Sequence, residues 1–246
     1  RKNSMNAIKT EQLRKEYEDV VAVEGLDLKI KEGELFSLLG VNGAGKTTTI
    51  KMLSCLTRPT GGDAWLEGKS ILSDTAAVKS LIAVSPQETA VAPGLSVREN
   101  LELMCGVYSL FGKKRDDRVL ELTELLGLEK ILKKKAGKLS GGWQRRLSIA
   151  MALVCHPRIL FLDEPTLGLD VLARNELWDL IRSLKGTVTI ILTTHYMEEA
   201  ESLSDRIGIM KDGRLLVCGT AEYIKNITGA DRFEDAFIQV VKGAEI

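Results

Sequence analysis

The run Gly40-Val41-Asn42-Gly43-Ala44-Gly45-Lys46-Thr47 fits the pattern G-x-x-x-x-G-K-[S/T], which works only between a strand and a helix. The flanks suit that demand. Residues 35–39 are an apolar run that reads as a buried strand, and residues 48–56 read as a helix bounded by Pro59 and Gly61-Gly62. The glycines let backbone N–H groups close on a polyphosphate, while the helix starting at Lys46 points the positive end of its dipole at the same charge. Lys46 is placed to reach the β- and γ-phosphates, and the Thr47 hydroxyl to ligate Mg²⁺. The expectation is a nucleoside triphosphate site in an α/β fold.

Residues 159–164, Ile-Leu-Phe-Leu-Asp-Glu, form a second apolar strand that ends in two carboxylates and is stopped by Pro165. In an open α/β sheet, ligands sit beyond the carboxyl ends of the strands, so Asp163 and Glu164 should reach the edge that carries the glycine loop. Asp163 suits Mg²⁺, directly or through water, and Glu164 suits polarising an attacking water. A third strand over 187–194, β-branched almost throughout, ends at His195 in the same way and offers a γ-phosphate contact. His156, between an apolar helix and Pro157, reads as a helix-end residue without chemistry.

Composition narrows the class. At 246 residues and 44% hydrophobic content the chain has ample material for one large core or two small ones. A formal charge of zero gives no global sign of nucleic acid or anionic lipid as a partner. No apolar run approaches the roughly 20 residues of a membrane span, and residues 1–5 lack the apolar stretch of a signal peptide. Cys55, Cys105, Cys155 and Cys218 show no CxxC spacing and read as reduced, mostly buried thiols of a cytosolic protein.

Leu139-Ser140-Gly141-Gly142 precedes a helix with an apolar face of Leu147, Ala150, Met151 and Val154. Ser140 is positioned to cap it, and the two glycines leave its start bare, which makes a second anion-binding helix end. Taken with residues 40–47, 159–164 and His195, this stretch resembles the ATP-binding-cassette (ABC) ATPase family over nearly the whole chain, most closely the ATP-binding subunits of ABC-2-type exporters.

The resemblance implies an α/β fold: a P-loop NTPase core with a mixed sheet, an N-terminal antiparallel β subdomain and an inserted α-helical subdomain. One domain would span 5–246, with the core in 5–86 and 156–220, the helical part in 87–155 and a helical tail in 221–246. It implies ATP and Mg²⁺ as ligands. Gln87 matches the glutamine loop that touches Mg²⁺ and the attacking water. Asp170, in Gly168-Leu169-Asp170, matches the loop that crosses the dimer interface, and Tyr17 the aromatic that stacks on adenine. Val23, Asn42, Gly43, Ala44, Gly45 and Thr48 join Lys46 and Thr47 around the nucleotide. Glu164, His195, Gln87 and Lys46 carry the catalytic roles, and Thr47, Gln87 and Asp163 the metal. Ser140, Gly141 and Gly142 would act on the ATP of a second, head-to-tail subunit. The family signature most often continues with glutamine; Trp143 stands here instead and bears on the geometry of dimer closure.

Other features follow residue by residue. Short alternating apolar stretches from Met5 to Gly33 suit antiparallel strands, and Ser96-Val97-Arg98-Glu99 reads as a capping box. Val119, Leu122, Leu125 and Leu126 predict a helix face ending at Gly127. Asp212-Gly213 predicts a tight hairpin between 207–210 and 214–217. Phe233, Ala236, Phe237, Val240 and Val241 repeat as an amphipathic helix resembling an exporter tail, and no long regulatory domain follows, which tilts the expectation toward export. Lys130, Lys133, Lys134, Lys135 and Lys138 read as a solvated face, and no nucleic-acid partner is expected.

With no pore of its own the chain would need integral membrane transporter subunits, met through Val107, Tyr108, Leu110 and Phe111 unless these only pack the helical lobe. Homodimer and heterodimer both remain open. The expected location is cytoplasmic, on the inner face of the cell membrane. The rival reading is a soluble ABC-type mechanochemical protein acting on ribosomes or DNA.

Overall fold

The computed structural model describes residues 6–243. The signal-peptide reading of residues 1–5 and the outermost limits of the 5–246 span lie outside it.

Two long strands, β1 (Asn6–Tyr17) and β2 (Val20–Lys31), pair antiparallel, with Ile8 opposite Ile30 and Thr10 opposite Leu28. Their alternation sends Ile8, Leu13, Leu26 and Ile30 inward to full burial. Strand β3 (Leu35–Leu39) follows and runs into the glycine loop, then helix α1 (Lys46–Leu53). The sequence predicts that helix over 48–56. Its start at Lys46 is the one the glycine loop asks for, and it ends short of 56, at Ser54, whose hydroxyl turns back to the Ile50 carbonyl at 2.7 Å.

Residues 61–62, expected as a helix-ending turn, instead open strand β4 (Gly61–Leu66), which pairs with β1 and with β5 (Lys69–Ser70). Gly62 sits at φ +69°, and a side chain there would meet the Gln12 carbonyl at 2.2 Å, so glycine is what lets the strand lie against a bulge in β1. These strands make a four-stranded antiparallel sheet in the order β2-β1-β4-β5.

Helix α2 (Thr75–Leu81) leads into β6 (Ile82–Ser85). Next come α3 (Val97–Val107), α4 (Lys113–Leu126) and α5 (Gly141–Leu153), with two short 3₁₀ turns before α5. The Ser96–Glu99 capping box is formed at the start of α3, and Gly127 closes α4 in the left-handed conformation. Leu125, expected on the α4 core face, is exposed. It lies at the edge of the stripe set by Val119, Leu122 and Leu126, which are buried.

Strand β7 (Ile159–Asp163), α6 (Val171–Leu184), β8 (Thr189–Thr194) and α7 (Met197–Leu203) complete the centre. The hairpin β9 (Arg206–Lys211) and β10 (Arg214–Gly219) then leads to α8 (Ala221–Thr228) and α9 (Phe233–Lys242). The central sheet runs β10-β9-β3-β8-β7-β6, parallel except for β10.

The parallel strands are apolar on both faces because both are covered. In β7, Leu160 and Leu162 join the core shared with α3, α4, α5 and α6, while Ile159 and Phe161 join the core under α1 and the antiparallel sheet. A third cluster packs α7, α8 and α9 on Leu39, Ile207 and Ile209. The amphipathic α9 buries Phe233, Ala236, Phe237 and Val240. Of the four cysteines, all free, only Cys105 is buried; Cys55, Cys155 and Cys218 are half-buried because each sits where an element ends or faces a rim. Among the described residues no helix is long and apolar enough to cross a membrane.

Candidate functional site

Strands β3, β6, β7 and β8 are parallel neighbours, so their carboxyl ends share one edge. From that edge emerge the glycine loop, Gln87, Asp163 with Glu164, and His195. They surround an open cavity of about 680 Å³, lined by Asn42, Gly43, Ala44, Gly45, Lys46, Thr47 and Thr48, with Gln87, Glu164 and His195 across from them and Tyr17 at the rim. Gly45 takes φ +101°, and a Cβ on it would meet the Ala22 carbonyl at 2.4 Å. Only glycine lets the loop press against β2.

The charged side chains form one connected set. Lys46, 6% exposed, donates to the Gly40 carbonyl at 2.7 Å and lies 3.4 Å from Glu164 Oε1. The other oxygen, Glu164 Oε2, is 2.7 Å from His195 Nδ1. Glu164 holds φ +48°, a left-handed conformation that disfavours side-chain-bearing residues, and its N–H donates to both the carbonyl (3.1 Å) and the hydroxyl (3.0 Å) of Thr193. That turn swings the carboxylate off the strand direction and over the loop.

Beneath it, the Thr47 hydroxyl donates to Asp163 Oδ1 at 3.1 Å, and Thr193 donates to the same oxygen. A hydroxyl beside a carboxylate is a hard-oxygen pair suited to a small divalent cation, which draws most of its shell from water and phosphate.

Not every expected residue faces the cavity. Val23 is fully buried in the core below the loop, and Val20, Val21 and Ala22 line the cavity in its place, because the chain turns Val23 inward to pack against α1. Asp163 lies behind Thr47 and does not line the cavity. Ser140, Gly141 and Gly142 are elsewhere, at the exposed start of α5. Ser140 occupies the capping position there, yet its side chain makes no cap hydrogen bond. Beside them Trp143 is half-buried, with the Arg146 guanidinium 4.7 Å from its ring. Asp170 caps α6 by accepting from the Ala173 N–H at 2.9 Å. Tyr17 is 44% exposed and carries the Lys15 ammonium 4.7 Å from its ring centroid. His156 is exposed just past the end of α5 at φ +50°, away from the cavity.

Sequence reasoning passed over three contributors. Thr193 is the penultimate residue of β8, and a polar residue in a buried strand beside the catalytic edge is the signal that marks it. Arg145 (5% exposed) and Glu199 (0%) are buried charges on helices that read as ordinary amphipathic segments. Glu199 accepts from the Thr166 hydroxyl at 2.8 Å and the Trp178 indole at 3.0 Å, and burial pushes its carboxyl pKa up.

A six-stranded, largely parallel sheet whose strand ends bring together a glycine loop, a lysine, two carboxylates and a histidine defines a phosphate-loop nucleotide-binding protein. Residues 23–167 match the family model described as ABC transporter, and the chain belongs to that family. It is 39% identical over 241 residues to the daunorubicin resistance ATP-binding protein DrrA2 of Streptomyces coeruleorubidus, covering 98% of this chain and 74% of that one.

Among solved structures it resembles an ATP-binding subunit of an ABC transporter (TM-score 0.83, 26% identity, covering 95% of this chain and 99% of that one). It also resembles the dimeric, post-hydrolysis cassette MJ0796 bound to ADP and Pi (TM-score 0.76, 29% identity, covering 87% and 98%). The protein is thus the ATP-binding, ATP-hydrolysing subunit of an ABC transporter, with relatives named as drug-resistance ATP-binding proteins.

Proposed function

We propose that this subunit drives export through separately encoded membrane subunits by hydrolysing Mg·ATP between two head-to-tail copies, docked on the inner face of the membrane. The observation that carries the reading is the Glu164 carboxylate held between Lys46 and His195 at the mouth of the glycine loop. The loop N–H groups and Lys46 bind the phosphate chain, and Tyr17 stacks on adenine. Glu164 accepts a proton from the water that attacks the γ-phosphorus in line as the bond to the β–γ bridging oxygen breaks and ADP leaves, and His195 orients Glu164 and the γ-phosphate.

Thr47 and Asp163, with Gln87, are the residues that would hold Mg²⁺, which when bound would neutralise charge developing on the phosphates. Ser140, Gly141 and Gly142, outside the lining of their own cavity and without a side-chain cap, serve the partner's phosphates. Asp170 lies on the exposed turn between the two subunits.

The membrane partner is met through the exposed Val107, Tyr108 and Phe111 at the end of α3; only Leu110 packs back on the lobe. The relative named for drug resistance supports export as the direction. The drug named for that relative belongs to that relative; the ATP-binding subunit's own cavity selects nucleotide.

A tagged Glu164→Gln chain with Mg·ATP tests the reading. Turnover should fall by about 10²- to 10⁴-fold with ATP binding kept. The variant should run as a dimer and retain a multi-span membrane protein from detergent-solubilised native membranes. Normal turnover would remove Glu164 from the base role; capture of ribosomal proteins or nucleic acid would favour a soluble mechanochemical role.

A further inference from the structure

Helix α5 begins at the bare end made by Ser140, Gly141 and Gly142, and its second turn grips a different part of the molecule. Arg145 is 5% exposed. Its Nη1 donates to the Pro86 carbonyl at 2.5 Å, and its Nη2 donates to the carbonyl of Gln87. Three residues on, the Ser148 hydroxyl meets the Ser85 hydroxyl at 3.0 Å. One face of α5 therefore holds three successive residues, from the last of β6 through Gln87.

At the far end of α5, Arg118 of α4 donates to the Leu153 and Val154 carbonyls. A buried arginine fixes each end of the helix, one to the helical lobe and one to the glutamine loop.

The energetics make the first attachment stiff. Burial pushes the Arg145 guanidinium pKa down, with Asp163 and Glu199 opposing that through space, yet arginine stays charged in proteins. A buried cation stripped of its acceptors is strongly disfavoured, so the loop carbonyls and the helix separate only at high cost. Movement of α5 takes the backbone of Gln87 with it.

We propose that Arg145 is a positioning residue that locks the Gln87 loop to the signature helix, so that engagement of Ser140, Gly141 and Gly142 by a second subunit's nucleotide resets Gln87 against Thr47 and Asp163. This rests on the reading that 140–142 act on the partner's ATP. Each site then learns through its own Arg145 whether its signature is occupied. ATP binding to a single subunit does not depend on the link, whereas hydrolysis does.

The test uses the full chain carrying Arg145→Lys, with Ser148→Ala as a milder second variant. Lysine keeps the charge but cannot span two successive carbonyls. Melting temperature, affinity for a fluorescent ATP analogue, kcat, the Mg²⁺ requirement of turnover and amide hydrogen exchange are measured.

For Arg145→Lys, kcat should fall about 10- to 100-fold while nucleotide affinity stays within about twofold, as expected for misplaced rather than missing groups. More Mg²⁺ should be needed for half-maximal turnover. Exchange should rise over residues 87–90 and remain slow in the body of α5. Ser148→Ala should move the same readouts in the same direction by less.

A kcat within about twofold of wild type overturns the proposal, as does exchange that rises equally along α5, which marks a merely structural residue. Exchange needs no turnover, so it decides the coupling even if wild-type hydrolysis is absent. That absence, or normal turnover by Glu164→Gln, would instead count against the reading of the site itself.

Discussion

Helices α1 and α5 start alike and end up doing opposite things. Each begins at glycines with no side-chain cap hydrogen bond. Around the start of α1 the fold brings Lys46 and His195 each within ion-pair or hydrogen-bond reach of Glu164, with Thr47 and Asp163 below. Around the start of α5 there is no such set: Ser140 and Gly141 are exposed, and Gly142 packs close to Ala173. The same helix-end electrostatics thus serve a complete site in one place and half a site in the other. What differs is the sheet: α1 follows a central strand whose neighbours end beside it, whereas α5 follows two 3₁₀ turns at the edge of the helical lobe.

The largest effect expected from breaking this contrast is at the complete end. Lys46→Ala removes the loop's cation and leaves the Glu164 carboxylate, 6% exposed, without it. ATP affinity should drop by about 100-fold or more, since charge-assisted contacts to phosphate are lost in a buried setting. Titration with a fluorescent ATP analogue reads this directly. Affinity within about twofold of wild type would mean that loop N–H groups alone hold the nucleotide.

At the bare end the expected pattern is different. Ser140→Ala should leave melting unchanged, because the hydroxyl caps nothing in the subunit, while steady-state hydrolysis falls roughly tenfold through one lost hydrogen bond to phosphate. Thr220→Ala is the control: its hydroxyl accepts from the Tyr223 N–H at 3.0 Å, and losing that cap costs about 1 kcal/mol. Paired thermal melts and ATPase assays should therefore respond in opposite ways. A drop in melting temperature for Ser140→Ala would make it an ordinary cap.

The smallest effect sharpens the comparison from behind the complete end, where Glu199 is buried close enough to feel Glu164. Burial, the largest influence, holds its carboxyl above the ordinary 4.5, against hydrogen bonds from Thr166 and Trp178. The folded chain thus keeps this proton to higher pH than the unfolded chain does. The stability it contributes is fully present below 4.5 and is lost as pH rises from there toward the raised value. Glu199→Gln removes that dependence, so the melting temperature of the variant relative to wild type should climb between pH 5 and pH 8. A flat difference would mean that Glu199 titrates normally.

Much of this was legible in the chain. The glycine loop, the acidic end of β7, the Ser96–Glu99 capping box and the Asp212-Gly213 turn depend on residues within a few positions of one another. The turn shows this well, with φ of +47° and +76° at the two residues that a tight hairpin asks to be left-handed. Less legible were β4 and β5, where glycines that look like turn residues fit a bulged strand. Val23 was misjudged because the same apolar type serves a cavity wall or the core beneath it, and only the turn of the strand decides. Leu125 missed the core by its angle on the helix.

Arg145 and Glu199 carried no local signal, since a charged residue on an amphipathic helix is ordinarily a solvated one. By itself the sequence determined the phosphate-binding turn, the carboxylates at a strand end and the second glycine helix start, because backbone conformation and hydrogen bonding there are settled by near neighbours. Only the tertiary structure decided that Glu164 lies between Lys46 and His195, and that Arg145 reaches the carbonyl of Gln87, 58 positions away. Burying a charge demands partners, and which ones are in reach is set by how sheet and helices pack.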